Sequence, residues 1–156
     1  VGEIVLDRAE LVRRVAGLKA EGKRIVFTNG GFDLLHVGHV RTLKGARELG
    51  DVLLVALNSD ASIQRNKGPS LPIIPAAERA ELVASLSCVD LVTVFDEPRV
   101  DDLLLILRPH VHAKGTDYTK ETVPERATVL GYGGEIAITG DPKAHSTSWI
   151  IKKIRG

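Results

Sequence analysis

The chain has one cysteine, no methionine and few aromatic residues, which make up 4% of its 156 positions. A single thiol, Cys88, excludes an intramolecular disulfide and points to a reducing cytoplasm. The missing methionine implies a true start that was removed or left out. So few aromatics leave few stacking platforms for single-stranded nucleic acid, and a formal charge of only +1 gives no strong basic field for a phosphate backbone. No apolar run approaches the roughly 20 residues that cross a bilayer. Residues Val1 to Arg8 lack the charged and apolar regions of a signal peptide. The expectation is therefore no nucleic acid partner, no membrane, and a cytoplasmic location. Repeats, linkers and low-complexity tracts are absent too.

What is present is an ordinary globular balance, 44% hydrophobic and 26% charged. The length fits one domain with one core, residues 1–156, with residues 1–21 as a helix preceding that core. Leu11, Val15 and Leu18 stand at helical spacing within Asp7 to Ala20. Nearly continuous apolar runs then alternate with helical stretches. Strands are expected at Arg24–Thr28, Asp51–Leu57, Leu91–Phe95, Val111–Lys114 and Glu135–Thr139. Helices are expected at Gly38–Leu49, Ala76–Leu86, Val100–Leu107, Pro124–Leu130 and Ser146–Ile154. Continuous apolar strands suit a sheet covered on both faces. The expected fold class is α/β: a single doubly wound parallel sheet, Rossmann-like. Asn58 to Pro75 reads as a long polar connection, and such loops are often functional.

In such a sheet, ligands bind beyond the carboxyl ends of the strands. The first strand runs into Asn29-Gly30-Gly31-Phe32-Asp33, then His36-Val37-Gly38-His39 at the start of a helix. A helix N-terminus offers free N–H groups and a positive dipole end to an anion. Gly30 and Gly31 would allow the tight backbone that a phosphate needs. Two histidines three residues apart share a helix face, so their rings could donate to several phosphate oxygens. The competing reading is a helix-start histidine and a surface histidine, or a metal pair. The preceding strand, glycine turn and aspartate discriminate against it. The pattern is not the Walker loop, because its Lys-Ser/Thr ending is missing.

Thr28 to His39 resembles the signature of the cytidylyltransferase-like nucleotidyltransferase superfamily. Leu57 to Ile63, Lys67-Gly68-Pro69, Glu78 to Glu81, Lys114-Gly115-Thr116-Asp117-Tyr118 and Ser146-Thr147-Ser148 resemble, more closely, the D-glycero-D-manno-heptose 1-phosphate adenylyltransferases. The resemblance runs over residues 24–156. It implies transfer of AMP from ATP to a heptose 1-phosphate, giving ADP-heptose and pyrophosphate for lipopolysaccharide or other surface glycans. Some members carry a fused sugar kinase, for which 156 residues leave no room. Mg²⁺ would come with ATP, and no dedicated carboxylate cage for it is visible.

The resemblance assigns the chemistry to His36, His39, Lys67 and Arg79, which would contact the phosphates. Thr28, Asn29, Gly30, Gly31, Phe32, Lys44, Lys114, Gly115, Asp117, Tyr118, Ser146, Thr147 and Ser148 would line the nucleotide. Asp33, Asn58 and Lys67 would face the acceptor. Bland readings stand beside several of these. Lys44, Lys67 and Arg79 would also serve as surface charge. Tyr118 would serve as a core aromatic, and Ser146 to Ser148 as a helix cap. His110 and His112 read as structural, and Cys88 as a small core residue.

Two departures stand out. Gly31 occupies a place where these proteins often have cysteine, a change that should be tolerated. Asp141 stands where glycerol-phosphate cytidylyltransferases have an arginine-containing segment. That speaks against the cytidylyltransferase, and Lys143 is a partial substitute for the lost charge. The rival readings are another triphosphate or acceptor, such as glycerol 3-phosphate, and a non-catalytic nucleotide-binding domain. Self-association is an expectation at the level of the fold only.

Overall fold

A computed structural model describes residues 2–142 and 146–156. Its centre is a six-stranded sheet in the order β1-β4-β3-β2-β5-β6, with every neighbouring pair parallel. The strands are β1 (Glu3–Ile4), β2 (Ile25–Gly30), β3 (Val52–Asn58), β4 (Leu91–Phe95), β5 (Val111–Lys114) and β6 (Glu135–Ile138). The helices are α1 (Arg8–Ala20), α2 (Val37–Arg47), α3 (Asp60–Lys67), α4 (Ala76–Ala84), α5 (Asp101–Leu107), α6 (Arg126–Gly131) and α7 (Thr147–Arg155).

The two-residue period of a strand sorts its side chains between two cores. Along β3, Val52, Leu54 and Ala56 join Phe27 under α1, α5 and α6. Leu53, Val55 and Leu57 join Val26 under α2 and α4. Each leucine or valine so buried contributes about 1.5–3 kcal/mol. Helix α1 meets the first core through Leu11 and Val15, and Asp7 caps it by accepting from the Glu10 N–H.

Two elements differ from the sequence expectation. The sheet is one strand wider, because Glu3–Ile4 pairs with Leu91 and Val92 at the edge. A two-residue strand is too short to show a pattern. The stretch 58–75 is not an unbroken loop, since it holds α3. Its sequence, DASIQRNK, buries only Ser62 and Ile63, so the apolar period is missing. Its caps were readable: Ser59 accepts from Ser62 N, and Gly68 ends the helix at φ 96°.

From β2 the chain steps to β3 and β4 on one side, then returns to β5 and β6 on the other. The switch point therefore lies between the carboxyl ends of β2 and β5, where an open parallel sheet forms its crevice.

Candidate active site

A cleft of about 290 Å³ opens at that switch point. Thr28, Asn29, Gly30, Gly31 and Phe32 form one wall, and Lys114, Gly115, Asp117 and Tyr118 form the other. His36 and His39 enter from the start of α2, Lys67 from the end of α3, and Ser146, Thr147 and Ser148 from the start of α7.

The histidines are fixed by the backbone they sit on. His36 is the N-cap of α2, and its Nδ1 accepts from Gly38 N at 3.1 Å. His39 Nδ1 accepts from His36 N at 3.2 Å. The rings stack with centroids 3.8 Å apart, and Phe32 supports His39 at 5.1 Å. An Nδ1 that accepts carries no proton, so each neutral ring keeps its proton on Nε2. Both rings therefore act as Nε2 donors beside the positive end of α2, which suits an anion.

The loop before them is bent at unexpected places. Phe32 and Leu34 hold left-handed backbone, at φ 51° and 47°, whereas Gly30 and Gly31 do not. The glycines thus serve close approach rather than dihedral freedom. A Cβ on Gly30 would lie 3.1 Å from the Phe32 ring.

On the far wall, Lys114 Nζ donates to Asn29 O at 3.1 Å and sits 5.2 Å from the Tyr118 ring centroid. Burial pushes this lysine below the usual ammonium range, while the charges of Glu125 and Asp117 pull it back. Tyr118 lines the cleft and also packs on the first core. Ser146 caps α7 by accepting from Trp149 N, and Thr147 Oγ1 donates to Asp33 O.

Arg41, Thr42 and Thr116 also line the cleft, and sequence reasoning missed them. Arg41 pairs with Asp141 at 2.8 Å, and Thr116 Oγ1 donates to Asp141 O at 2.7 Å. Thr139 Oγ1 donates to Thr42 O at 2.9 Å, so the segment after β6 is stitched onto α2. Gly140 is required there: at φ 93°, its Cβ would fall 2.6 Å from Thr42 Oγ1. The signal available was helical spacing, since Thr42 lies one turn beyond Gly38. Lys143, the proposed substitute for a lost arginine, lies outside the described residues.

Four predicted site residues lie elsewhere. Arg79 is fully buried and outside the cleft lining. Its Nε donates to Ile74 O at 2.8 Å, Nη1 to Gly31 O at 2.7 Å and Nη2 to Asp60 at 2.7 Å. A guanidinium with all three nitrogens engaged in this way, and no place in the cleft lining, holds the glycine turn from behind. Asp33 is buried too, and its two carboxylate oxygens accept from Ile73 N and Ile74 N. Asn58 donates from its amide to Ser62 Oγ at the start of α3. Lys44 is exposed on α2, and its charge acts on Cys88. Neither Asn58 nor Lys44 lines the cleft.

Among known proteins, the family model described as cytidylyltransferase-like matches residues 27–152. The chain belongs to the cytidylyltransferase-like family. It is 50% identical over 152 residues to the bifunctional protein HldE of Syntrophotalea carbinolica, covering 97% of this chain and 30% of that protein. It is 46% identical to the HldE of Caulobacter vibrioides, over 98% of this chain and 32% of that one. The chain thus spans about a third of the length of the curated relatives it matches. Among solved structures, a lipopolysaccharide core biosynthesis protein from Thermoplasma volcanium matches with TM-score 0.67 and 28% identity, over 78% of this chain and 100% of that one. A pantoate-beta-alanine ligase from Francisella tularensis matches with TM-score 0.69 at 17% identity, over 95% of this chain and 69% of that one, which shows a shared fold.

Within this cytidylyltransferase-like cleft the donors outnumber the carboxylates. Asp141 is paired with Arg41, and Asp117 acts on Lys114. Among the described residues no three His, Cys, Asp or Glu side chains converge to hold a metal ion. No helix among them is long and apolar enough to cross a membrane.

Proposed function

We propose that the chain transfers AMP from ATP to D-glycero-D-manno-heptose 1-phosphate, releasing pyrophosphate and ADP-heptose for bacterial surface glycan synthesis. The observation that carries this reading is the stacked His36–His39 pair. Its two Nε2 donors stand at a helix start, in a cleft that also holds Lys67 and Lys114. Kinship with the HldE proteins at about half identity supports the choice of acceptor.

A phosphate oxygen of the acceptor attacks the α-phosphorus of ATP in line. The new P–O bond forms as the bond to the bridging oxygen breaks, and the electron pair leaves with pyrophosphate. A phosphate monoester is already anionic near neutral pH, so no strong general base is needed. The protein's contribution is positioning and neutralising charge. The His36 and His39 donors would meet the growing negative charge on the phosphates, with Lys67 closing from α3. Thr28 to Phe32, Lys114 to Tyr118 and Ser146 to Ser148 would hold the nucleotide. Asp33, Asn58 and Arg79 would act from behind the cleft, holding the turn and α3. A divalent ion, Mg²⁺ in this reading, would travel on the triphosphate oxygens and help neutralise them. A cleft rich in N–H donors and poor in carboxylates fits that arrangement. We place the reaction in the cytoplasm, where Cys88, its thiol pushed up by burial, stays reduced.

The test is pyrophosphate release from a panel of triphosphates against heptose 1-phosphate, glycerol 3-phosphate and other sugar phosphates. ATP with heptose 1-phosphate should be the fastest pair. His36→Ala and His39→Ala should each lower kcat by about 100- to 1,000-fold while the circular dichroism spectrum is kept. Preference for another pair would replace the substrates. Wild-type turnover in both variants would remove the mechanism.

A further inference from the structure

Helices α1, α5 and α6 cover the first core, and none of their residues lines the cleft. The middle helix is α5, tied to α1 through Lys19 and to α6 through Thr128. Its inner side, Leu103, Leu104 and Leu107, is set in the core. The outer side carries Asp102, Leu105 and Ile106, which stand at i, i+3 and i+4 and so share one helix face. Leu105 is 47% exposed and Ile106 51%. Single exposed aliphatics are ordinary, but here two adjoin at the centre of a face. Leu130 on the adjoining α6, 46% exposed, adds a third to the same layer.

The charges on this face are sorted by sign. Asp102 stands one turn before the two aliphatics, and Arg108 follows them at the C-cap. Among the described residues neither has an ion-pair partner. Asp101 beside them is occupied, by Arg99 and the Thr128 hydroxyl. Arg108 Nε donates to Leu105 O at 3.3 Å, so the guanidinium folds back toward the exposed aliphatics. Lys19 Nζ donates to Leu107 O and Arg108 O, each at 2.6 Å, and brings a second cation to that end. The face is thus acidic at one end, apolar in the middle and basic at the other. Helix α7 also exposes Trp149 and Ile154, but it carries Lys152, Lys153 and Arg155 and no acid. Pairing α7 with itself would set like charge against like.

We propose that the outer face of α5 docks a second copy of this chain, antiparallel, about a two-fold axis that passes at Leu105. A two-fold contact is self-complementary: if one residue meets another on the partner, the reverse contact forms as well. Asp102 and Arg108 lie three positions to either side of Leu105, about 4.5 Å along the helix in each direction. The rotation therefore brings each Asp102 against the partner's Arg108, and the aliphatics against their counterparts. Charge complementarity selects this occupant. An acidic partner would oppose Asp102, and a basic one would oppose Arg108 and Lys19. Three aliphatics and two charge pairs fall short of the roughly 20 residues a side of a stable interface, so the pairing is weak and reversible. The proposal does not depend on the adenylyltransferase reading, since the cleft lies outside this face.

The experiment is sedimentation equilibrium of the chain from micromolar to millimolar concentration, where the average mass should climb toward twice that of one copy. Leu105→Glu puts two carboxylates at the axis and should weaken the association at least about a hundredfold, with the circular dichroism spectrum kept. Leu105→Ser serves if that variant does not fold. Asp102→Arg and Arg108→Asp set like charges together at both contacts, so each alone should weaken self-association about tenfold. Mixed, the two variants should pair again, because every contact then joins opposite charges. A chain that stays monomeric over the whole range overturns the proposal. So does association that survives the Leu105 variant, or charge variants that fold but do not pair when mixed. Association abolished by Ile154→Glu and not at Leu105 would put the contact on α7 and equally overturn it.

Discussion

Arg79 and Lys114 are both cations under the carboxyl ends of the strands, the first fully buried and the second half-buried, and the family resemblance implies a phosphate for Arg79 and the nucleotide for Lys114. On the α3–α4 side, Arg79 spends its donors on Ile74 O, Gly31 O and Asp60. On the β5–α6 side, Lys114 has Asn29 as its hydrogen-bond acceptor and Glu125 and Asp117 as charge partners, and it lines the cleft. The first cation is fully committed to the fold. The second keeps capacity for a ligand. Planar guanidinium geometry explains part of the contrast, since five fixed donors can tie several oxygens at once. A flexible ammonium has fewer donors and shifts its charge state more readily when buried.

The comparison is most exposed to Arg79→Ala. This substitution strips Gly31 O and Ile74 O of a charged donor, while Asp60, 43% exposed, keeps the Ala76 N–H, so it should cost about 1–3 kcal/mol for each carbonyl left without a donor. Urea unfolding at constant pH measures that cost, and triphosphate KM in the folded fraction should change little. A stable variant with a raised KM would place Arg79 at the phosphates and erase the distinction. Lys114→Met is the mirror image. Losing a charged hydrogen-bond donor to the nucleotide should raise triphosphate KM about ten- to a hundredfold, with a smaller loss of stability. If unfolding dominated instead, Lys114 would be structural like Arg79.

The same pair shows what was legible in the sequence. The five main strands were readable because their runs are nearly all apolar, Val52 to Leu57 above all. The histidine pair was readable because its role depends on local features: a strand end, a bend and a helix start within a dozen residues. Lys67, Lys114 to Tyr118 and Ser146 to Ser148 line the cleft. Arg79, Asp33, Asn58 and Lys44 do not, for a shared physical reason. A long or polar side chain has a choice of partners set by packing between distant segments, and no local spacing reveals it. Asp33 meets Ile73 and Ile74, 40 and 41 positions away. Arg79 meets Gly31 across 48. Arg41 escaped notice because its partner, Asp141, is 100 positions off.

Gly31 offers the smallest effect and the finest cut. Arg79 grips its carbonyl oxygen, not a side chain, so the clamp should be indifferent to what Gly31 carries. A Cβ there would meet Ile63 Cδ1 at 3.4 Å, an ordinary contact, and its φ is not left-handed. Gly31→Cys should therefore change stability by less than about 1 kcal/mol, as a surface-like substitution without strain does, and leave kcat within about twofold. Gly30→Ala beside it is the control, because its Cβ would press at 3.1 Å on the Phe32 ring that supports His39. Thermal unfolding and pyrophosphate release on the two variants separate the cases. Equal losses in both would mean that the turn tolerates no side chain. The glycines themselves, rather than the arginine behind them, would then set the shape of the phosphate wall.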